Sequence, residues 1–196
     1  MTTILRRDNG GAIELDVHRW HAEIDDVERE LLESLPDPVL DIGCGPGRIV
    51  SALAKVGRLA LGIDPEPRAA AAARSRGAAV LERSVFEPLP GEGRWRSALL
   101  LDGNIGIGGD PVRLLRRVGE LLAPGGSMVA EVLSPQLSTE MLTVRVEATL
   151  GRATGPWFSW ARVAAHDFAA LAQESGLTPT DMTAVDGRWF ARAVRP

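Results

Sequence analysis

The sequence predicts an α/β protein built on a doubly wound, mostly parallel sheet. Short apolar runs alternate with amphipathic segments from about residue 39 to residue 133, and glycine or proline interrupts the chain at most of the transitions. The composition agrees, because 196 residues with 45% apolar and 24% charged side chains are typical of one globular domain. A chain of this length folds without disulfide bonds, and Cys44 is the single cysteine.

Charge and apolar pattern restrict the partners and the compartment. The 26 acidic residues exceed the 22 basic ones, for a net charge of −4, so the chain lacks the positive excess that binds phosphate backbones. Residues 1–7 have no signal-peptide core, and no apolar run reaches the roughly 18 residues of a membrane span. Nucleic acid is therefore a disfavoured partner, and we expect a cytoplasmic monomer or homodimer with no membrane partner.

The first 35 residues predict a helical cap. Residues 1–15 show no periodicity, and Asn9-Gly10-Gly11 indicates a turn or a loose terminus. From Val17 to Leu35 the apolar residues fall three and four apart, which predicts a helical segment. Asp25, with Glu28 three residues later, is a capping-box pair that would begin a second helix within it.

The middle of the chain alternates predicted strands and helices. Five short apolar runs are typical of strands that are buried on both faces: 39–42, 59–63, 78–81, 98–101 and 128–133. Helices are predicted between them at 48–56, 67–76 and 111–122, the last with Asp110 as its N-cap.

Beyond residue 133 the pattern changes. Segments 141–150 and 157–163 carry strand-like residues around a turn at 151–156, which predicts an inserted β-hairpin. A helix is predicted over 167–175. Two final strands, 178–185 and 188–194, are joined by Asp186-Gly187, a type I′ turn signal.

A glycine-rich turn is the sharpest feature. Asp41-Ile42-Gly43-Cys44-Gly45-Pro46-Gly47 leads from a buried strand into a helix. Glycines let a ligand approach the backbone, and free N–H groups at a helix start favour an anionic group. Asp64 ends the next strand, where a carboxylate can bind a ribose diol. The alternative for Asp64 is a cap on the helix that starts near residue 67.

The spacing of the glycines selects among nucleotide-binding families. A dinucleotide fingerprint needs Gly-x-Gly-x-x-Gly, but Arg48 holds the sixth position and the third glycine comes early, at Gly47. An acidic residue followed by Gly-x-Gly-x-Gly resembles the first motif of the class I S-adenosylmethionine-dependent methyltransferases.

The resemblance covers about residues 36–135. Asp64 matches the family's ribose-binding acid, the segment Leu121-Leu122-Ala123-Pro124-Gly125-Gly126 matches the turn before the fifth strand, and Ser84-Val85-Phe86 falls where the family contacts adenine. It implies a Rossmann-like sheet of seven strands with an antiparallel last strand, and S-adenosylmethionine as cofactor with S-adenosylhomocysteine as product. The implied cofactor-binding residues are Asp41, Gly43, Cys44, Gly45, Gly47, Asp64, Pro65, Ser84, Val85, Phe86, Asp102 and Asn104.

Two departures from the family pattern bear on adenine binding and on the substrate. Ser84 stands where the family usually has an acidic residue for the adenine amino group. Asp102-Gly103-Asn104-Ile105 replaces the Asp- or Asn-Pro-Pro-aromatic motif of enzymes that methylate nucleic-acid amino groups, which favours a small-molecule acceptor. Asn104 either contacts cofactor or acceptor or forms a local Asx turn.

Further candidates lie outside the cofactor motifs. His18 and His21 are candidate general bases, with a solvated helix face as the alternative. Trp20, Asn104, Trp157 and Trp160 are candidate substrate-binding residues, although the tryptophans also suit local packing. We predict no metal site, because no Cys or carboxylate cluster completes the histidine pair. Cys44 has no evident base beside it and is not predicted to be a nucleophile.

The prediction is therefore a single methyltransferase domain over residues 1–196. It divides into an N-terminal helical cap (1–35), a cofactor-binding half (36–135) and a substrate-side half with the inserted hairpin (136–196). Its function would be methyl transfer from S-adenosylmethionine to a small-molecule acceptor through an O, N, S or C atom. The alternatives are a non-catalytic cofactor-binding protein and an NAD(P)-dependent oxidoreductase.

Overall fold

Two β-sheets form the framework of the protein. The computed structural model describes residues 3–148, 152–153 and 155–196, without the side chains of residues 152 and 153. The strands are β1 (Thr3–Arg7), β2 (Ala12–Leu15), β3 (Val39–Ile42), β4 (Ala60–Asp64), β5 (Val80–Glu82), β6 (Trp95–Leu100), β7 (Leu122–Val132), β8 (Glu140–Ala148), β9 (Arg152–Ala153), β10 (Phe158–Arg162), β11 (Thr178–Val185) and β12 (Arg188–Val194). The helices are α1 (Val17–His21), α2 (Asp26–Glu33), α3 (Arg48–Lys55), α4 (Pro67–Ser75), α5 (Pro111–Leu121) and α6 (Ala165–Glu174).

The larger sheet has seven strands in the order β11-β12-β7-β6-β3-β4-β5. Strands β3 to β7 pair in parallel, and β12 runs antiparallel to both of its neighbours. All four residues of β3 are buried, as expected for a central strand that is covered on both faces. The predicted doubly wound, Rossmann-like sheet with an antiparallel last strand is confirmed.

Most elements of this sheet begin and end near the predicted residues. Helices α3, α4 and α5 begin where predicted and end one residue early, and β11 and β12 match the prediction throughout. Asp186 and Gly187 both have positive φ, as a type I′ turn requires. Strand β7 departs from the prediction: it begins at Leu122 and includes the Pro124-Gly125-Gly126 segment that was predicted as a turn.

The N-terminal helical segment consists of two helices. Asp25 caps α2 by accepting a hydrogen bond from the Glu28 backbone N–H, and the Glu28 side chain accepts one from the Asp25 N–H. The predicted capping box is therefore confirmed. It interrupts the continuous helix that the apolar spacing from Val17 to Leu35 suggested.

Of the two interpretations of Asn9-Gly10-Gly11, the turn is confirmed and the loose terminus is wrong. Strands β1 and β2 form an antiparallel hairpin, with Gly10 (φ +89°) in its turn, and β1 also pairs with β8. Five- and four-residue strands carry little periodicity, and the partner that orders them lies more than 130 residues away. Sequence pattern alone does not show such long-range pairing.

The smaller sheet combines this hairpin with the inserted one. Its order is β10-β8-β1-β2, with β9 paired to β8. Antiparallel pairing of β8 with β10 confirms the predicted insertion. Residues 149 and 150 of its first predicted strand and residues 151 and 154 of its predicted turn lie outside the described residues. Part of that turn is instead strand β9. We call this five-stranded sheet the cover sheet, because it lies beside the carboxyl ends of the parallel strands.

Membrane-spanning helices and clusters of metal-ligand side chains are both absent from the described residues. No helix is both long enough and apolar enough to cross a membrane. No group of three or more His, Cys, Asp or Glu side chains is arranged to hold a metal ion.

Candidate active site

The glycine turn after β3 is shaped by two close contacts and one open position. A Cβ on Gly43 (φ +73°) would lie 2.6 Å from Asn104 Nδ2, and a Cβ on Gly47 would lie 2.7 Å from Ala73 Cβ. At Gly45 (φ +52°) a Cβ would meet nothing within 4 Å, and this residue lines a cavity. The turn therefore packs tightly against its neighbours at Gly43 and Gly47. At Gly45 its backbone is open to the cavity, where a ligand can approach.

Asp64 joins the end of β4 to this turn. Its Oδ2 accepts a hydrogen bond from the Gly45 N–H at 3.0 Å, and its Oδ1 accepts one from the Glu66 N–H at 2.8 Å. Burial raises the pKa of the Asp64 carboxyl, and these two hydrogen bonds oppose the shift. Each oxygen keeps a second lone pair for a ligand. The N-cap of α4 is Glu66, so Asp64 is not the cap that the alternative interpretation required.

Asp41 is a buried carboxylate without a hydrogen-bonding partner among the described residues. It is 3% exposed and lines the same cavity as Gly45. Burial, reinforced by the negative charge of Asp102 and opposed by Arg48, raises the pKa of Asp41 to about 7. A buried carboxylate normally has a partner, so this side chain indicates a site for a cationic or hydrogen-bond-donating ligand.

Cys44 lies between these carboxylates as a protonated thiol. Its S–H points to the Gly45 carbonyl oxygen at 3.7 Å. Burial, together with the negative charges of Asp41 and Asp64, raises the pKa of the thiol well above its ordinary value. Since the thiolate is the nucleophile, this agrees with the prediction that Cys44 is not one.

Three cavities adjoin at the carboxyl edge of the large sheet. The turn cavity, about 140 Å³, lies against Gly43, Gly45 and Asp64. The edge cavity, about 540 Å³, follows the ends of β4 and β5, and the cover cavity, about 520 Å³, lies under the cover sheet. Asn104 lines all three. A reaction between groups held in different cavities would therefore take place beside Asn104.

The edge cavity contains the predicted adenine-binding segment. Ser84, Val85 and Phe86 line it together with Pro65. The Arg113 guanidinium lies 4.2 Å from the Phe86 ring centroid, which fixes the ring by a cation–π contact. Ser84 Oγ accepts a hydrogen bond from the Phe86 N–H at 3.3 Å, so the hydroxyl is partly used in shaping its own loop.

Apolar side chains from both sheets wall the cover cavity. Leu5 and Leu15 come from the N-terminal hairpin, Val146 comes from β8, and Phe158 and Trp160 come from β10. The charged residues that line it are Glu14, Asp16, Arg19, Asp102, Glu131 and Arg162. A largely apolar cavity with a few polar groups in its lining is typical of sites for small organic molecules.

A network of buried and partly buried ion pairs joins three helices (α1, α2 and α3), two strands (β7 and β12) and the loop after β6 around these cavities. Arg48, 4% exposed, pairs with Asp102 Oδ2 at 2.5 Å and with Glu28. Arg188 holds both Glu131 oxygens, at 2.8 and 2.9 Å. Burial disfavours the charge on Glu28, but hydrogen bonds from Arg48 and Arg19 outweigh it, and the pKa of Glu28 is lowered.

Asp102 and Asn104 occupy the loop after β6. Asp102 has φ +53°, a left-handed conformation that costs a non-glycine residue on the order of 1 kcal/mol and that Asp tolerates better than most. Asn104 Nδ2 donates to the carbonyl oxygens of Ile42 and Gly43, both at 2.9 Å. The amide therefore braces the glycine turn, and its position beside all three cavities also leaves it available to a ligand.

The remaining predicted residues divide into two groups. Trp20 lines the turn and cover cavities, and Trp160 lines the cover and edge cavities. Three predicted residues are exposed and line none of the three cavities: His18, His21 and Trp157. The two histidines of α1 face solvent. The Arg145 guanidinium carbon lies 4.8 Å from the centroid of the Trp157 ring. Neither histidine lines one of the three cavities, and the general-base role of His18 and His21 stays a prediction.

Several site residues were missed from the sequence. Arg19, Glu28, Glu131 and Arg188 were not singled out as site residues, since their partners lie on other elements and no local spacing connects them. Leu5, Ile13 and Leu15 were missed along with the N-terminal hairpin.

Comparison with known proteins identifies the family. The family model described as a methyltransferase domain matches residues 17–181 of this sequence. The chain therefore belongs to the methyltransferase domain family, which confirms the resemblance drawn from the glycine turn.

Relatives and solved structures agree. The chain is 31% identical over 154 residues to a ubiquinone biosynthesis O-methyltransferase of Methylocella silvestris, a match that spans 75% of this chain and 60% of that protein. A methyltransferase structure from Bacteroides fragilis with bound S-adenosylhomocysteine superposes with a TM-score of 0.82 at 20% identity, covering 98% of this chain and 87% of that one. The Burkholderia thailandensis 1,6-didemethyltoxoflavin-N1-methyltransferase gives a TM-score of 0.63 at 22% identity, covering 86% and 75%.

Proposed function

We propose that this protein transfers a methyl group from S-adenosylmethionine to a small organic acceptor. The observation that carries the proposal is the meeting of cavities at Asn104: two lie along the glycine turn and the ends of β4 and β5, and a third, of about 520 Å³, opens from the other side. Cofactor and acceptor would occupy separate cavities and meet where these adjoin.

The residues present fit the cofactor. Asp64 would hold the ribose diol, because each of its oxygens retains a free lone pair. The open space at Gly45 accommodates the amino-acid portion, and the unpartnered Asp41 carboxylate suits its ammonium group. The adenine would lie in the edge cavity, against Val85 and Phe86.

The catalytic task of this chain is alignment. The cofactor supplies an electrophilic methyl group on a sulfonium, so the protein has to place a nucleophile in line with it and exclude water. Trp20 and Asn104 lie where the turn and cover cavities meet, and the cover sheet closes the acceptor side. The carboxylates of Asp41, Asp64 and Asp102 give the turn cavity a negative potential, which favours a cationic ligand.

The acceptor cavity favours a compact, largely apolar molecule. Its walls are mainly aliphatic and aromatic, and its volume is in the range of sites for small ligands. The name of the Methylocella relative refers to an O-methylation in ubiquinone biosynthesis. Because the match spans 60% of that protein, we propose for this chain only the general class of substrate, a small organic acceptor.

We further propose that the chain acts as one domain in which both sheets serve a single site. The cofactor-binding half predicted at 36–135 supplies most of the turn and edge cavities, which Trp20 and β10 complete. The N-terminal segment and the part beyond residue 135 supply most of the cover cavity.

Calorimetric titration with S-adenosylmethionine, S-adenosylhomocysteine and NADH tests the cofactor. We expect binding of the first two and none of NADH; the reverse result would contradict the proposal. A panel of small phenols, amines and heterocycles, assayed for S-adenosylhomocysteine release, then tests turnover. Cofactor binding without release across a broad panel would favour the non-catalytic alternative.

A further inference from the structure

We propose that Asp102 is a catalytic residue whose carboxylate takes the proton that the acceptor's N–H or O–H group loses on methylation. This inference rests on the proposed function. It follows first from position, since Asp102 is the one carboxylate among the described lining residues that borders both the turn cavity and the cover cavity.

The loop after β6 fixes the Asp102 carboxylate in this place. The backbone adopts φ +53°, and its N–H donates to Glu131 Oε2 at 3.0 Å. Arg48 Nη2 holds the carboxylate Oδ2 at 2.5 Å, whereas Arg19 Nε is 3.4 Å from Oδ1. One oxygen is therefore anchored and the other is more loosely held. The side chain is 21% exposed, so a ligand in the cavity can reach it.

The charges around Asp102 come from every element packed against it. Arg19, Glu28 and Arg48 face it from α1, α2 and α3, Glu131 faces it from β7, and Asp41 faces it from β3 across the turn cavity. Burial, with the negative charges of Glu131 and Glu28, raises the pKa of the Asp102 carboxyl, and Arg48 and Arg19 oppose the shift. A raised pKa makes a carboxylate a better proton acceptor than an ordinary aspartate.

The other candidates for this role are less suitable. The described lining of the cover cavity contains no His, Lys, Cys or Tyr. Glu131 is held on both oxygens by Arg188, and its pKa is lowered. Asp16 caps α1 by accepting a hydrogen bond from the Arg19 N–H, and Glu14 is exposed. Neither Glu14 nor Asp16 borders the turn cavity.

The step balances as an in-line displacement. The lone pair of the acceptor nitrogen or oxygen forms a bond to the methyl carbon, and the carbon–sulfur bond breaks with its electron pair left on sulfur. The proton leaves the acceptor heteroatom for an Asp102 oxygen. The products are the methylated acceptor, neutral S-adenosylhomocysteine and a carboxylic acid that returns its proton to water.

The experiment compares two cofactor analogues and needs no known acceptor. Sinefungin carries a C–NH3+ group in place of sulfur, so its ammonium occupies the region of the transferred methyl, and S-adenosylhomocysteine has no group there. Calorimetry gives the ratio of the two dissociation constants for the wild type, Asp102→Asn and the control Glu82→Gln, which alters an exposed carboxylate that lines none of the three cavities. Asparagine suits a positive φ, which preserves the loop.

We expect the wild type and Glu82→Gln to prefer sinefungin. In Asp102→Asn the preference should fall about tenfold or more, with S-adenosylhomocysteine affinity kept within about twofold. With an acceptor from the release screen, kcat of Asp102→Asn should fall at least about 100-fold. If Asp102→Asn does not fold, Asp102→Gly removes the carboxylate at a φ that glycine adopts freely.

The outcomes separate the inference from the proposed function. An unchanged ratio in an aspartate variant that still binds S-adenosylhomocysteine would overturn the role of Asp102 and leave the methyltransferase proposal standing. A wild type that binds neither analogue would contradict the proposed function, and the inference would fall with it.

Discussion

The cofactor side and the acceptor side of the site are built in different ways. The cofactor side comes mainly from one stretch of chain, in which β3, the glycine turn and β4 follow one another within about 25 residues. The acceptor side is assembled from distant segments: the N-terminal hairpin, α1, the loop after β6, the end of β7 and β10. Local sequence therefore encodes the proposed cofactor site, whereas long-range packing defines the proposed acceptor cavity.

The largest expected effect comes from breaking the glycine turn. In Gly43→Val the side chain meets Asn104 at a φ of +73°, so we expect loss of detectable S-adenosylhomocysteine binding and about 2–4 kcal/mol of lost stability. Calorimetry and thermal unfolding measure both.

Gly57→Val is the matched control for this change. Gly57 has a similar φ of +75° but nothing within 4 Å of its added Cβ. It should show only the cost of backbone strain, with cofactor affinity unchanged. Equal losses in the two variants would mean that the Asn104 contact has no special importance.

Removal of the Asp64 carboxylate at the end of β4 should change the affinity for the cofactor only. Asp64→Ala deletes the proposed ribose ligand and the acceptor of the Gly45 N–H, so we expect S-adenosylhomocysteine affinity to fall about 10- to 100-fold. Glu82→Ala is the control, because Glu82 is the exposed residue paired with Asp64 on the next strand. Equal affinity of Asp64→Ala and wild type would remove Asp64 from the site.

A substitution in the β1–β2 hairpin should change the binding of the acceptor only. Leu15→Ala removes apolar wall from the cover cavity, and Leu15 does not line the turn or edge cavity. With an acceptor from the release screen, we expect KM to rise about 5- to 10-fold while S-adenosylhomocysteine affinity stays within twofold. The exposed Leu137→Ala should change neither quantity. A loss of cofactor affinity in Leu15→Ala would show that the two sides are not separable.

Asp41 should make cofactor binding depend on pH. Its pKa of about 7 means that the carboxylate becomes protonated as the pH falls through 7, whereas a bound ammonium favours the charged form. We expect S-adenosylmethionine affinity to fall about fourfold from pH 8 to pH 6.5. Asp41→Asn should bind more weakly at pH 8 and lose this dependence.

The same group predicts an opposite effect on the stability of the unliganded protein. The folded-state pKa is raised, so the stability associated with protonated Asp41 is present at low pH and is lost as the pH rises through 7. Asp41→Asn should therefore raise Tm at pH 8 without ligand. A lower Tm there would indicate that Asp41 has a stabilising partner.

The cofactor side of the site could be predicted from the sequence, whereas most of the acceptor side could not. Asp41, the glycines and Asp64 were predictable because a buried strand, a glycine turn and a strand-end carboxylate each have a local signature. The β1–β2 hairpin was not, since its order depends on pairing with β8. The Glu28–Arg48–Asp102 ion pairs likewise join α2, α3 and the loop after β6, and only the folded chain brings these charges together.

A crystal structure with S-adenosylhomocysteine tests the central claim most directly. The account predicts a ribose diol bound to Asp64, an adenine beside Val85 and Phe86, a sulfur facing Asp102 and Asn104, and a cover cavity left free for the acceptor. A nucleoside located instead between Leu15 and Trp160, under the cover sheet, would contradict it.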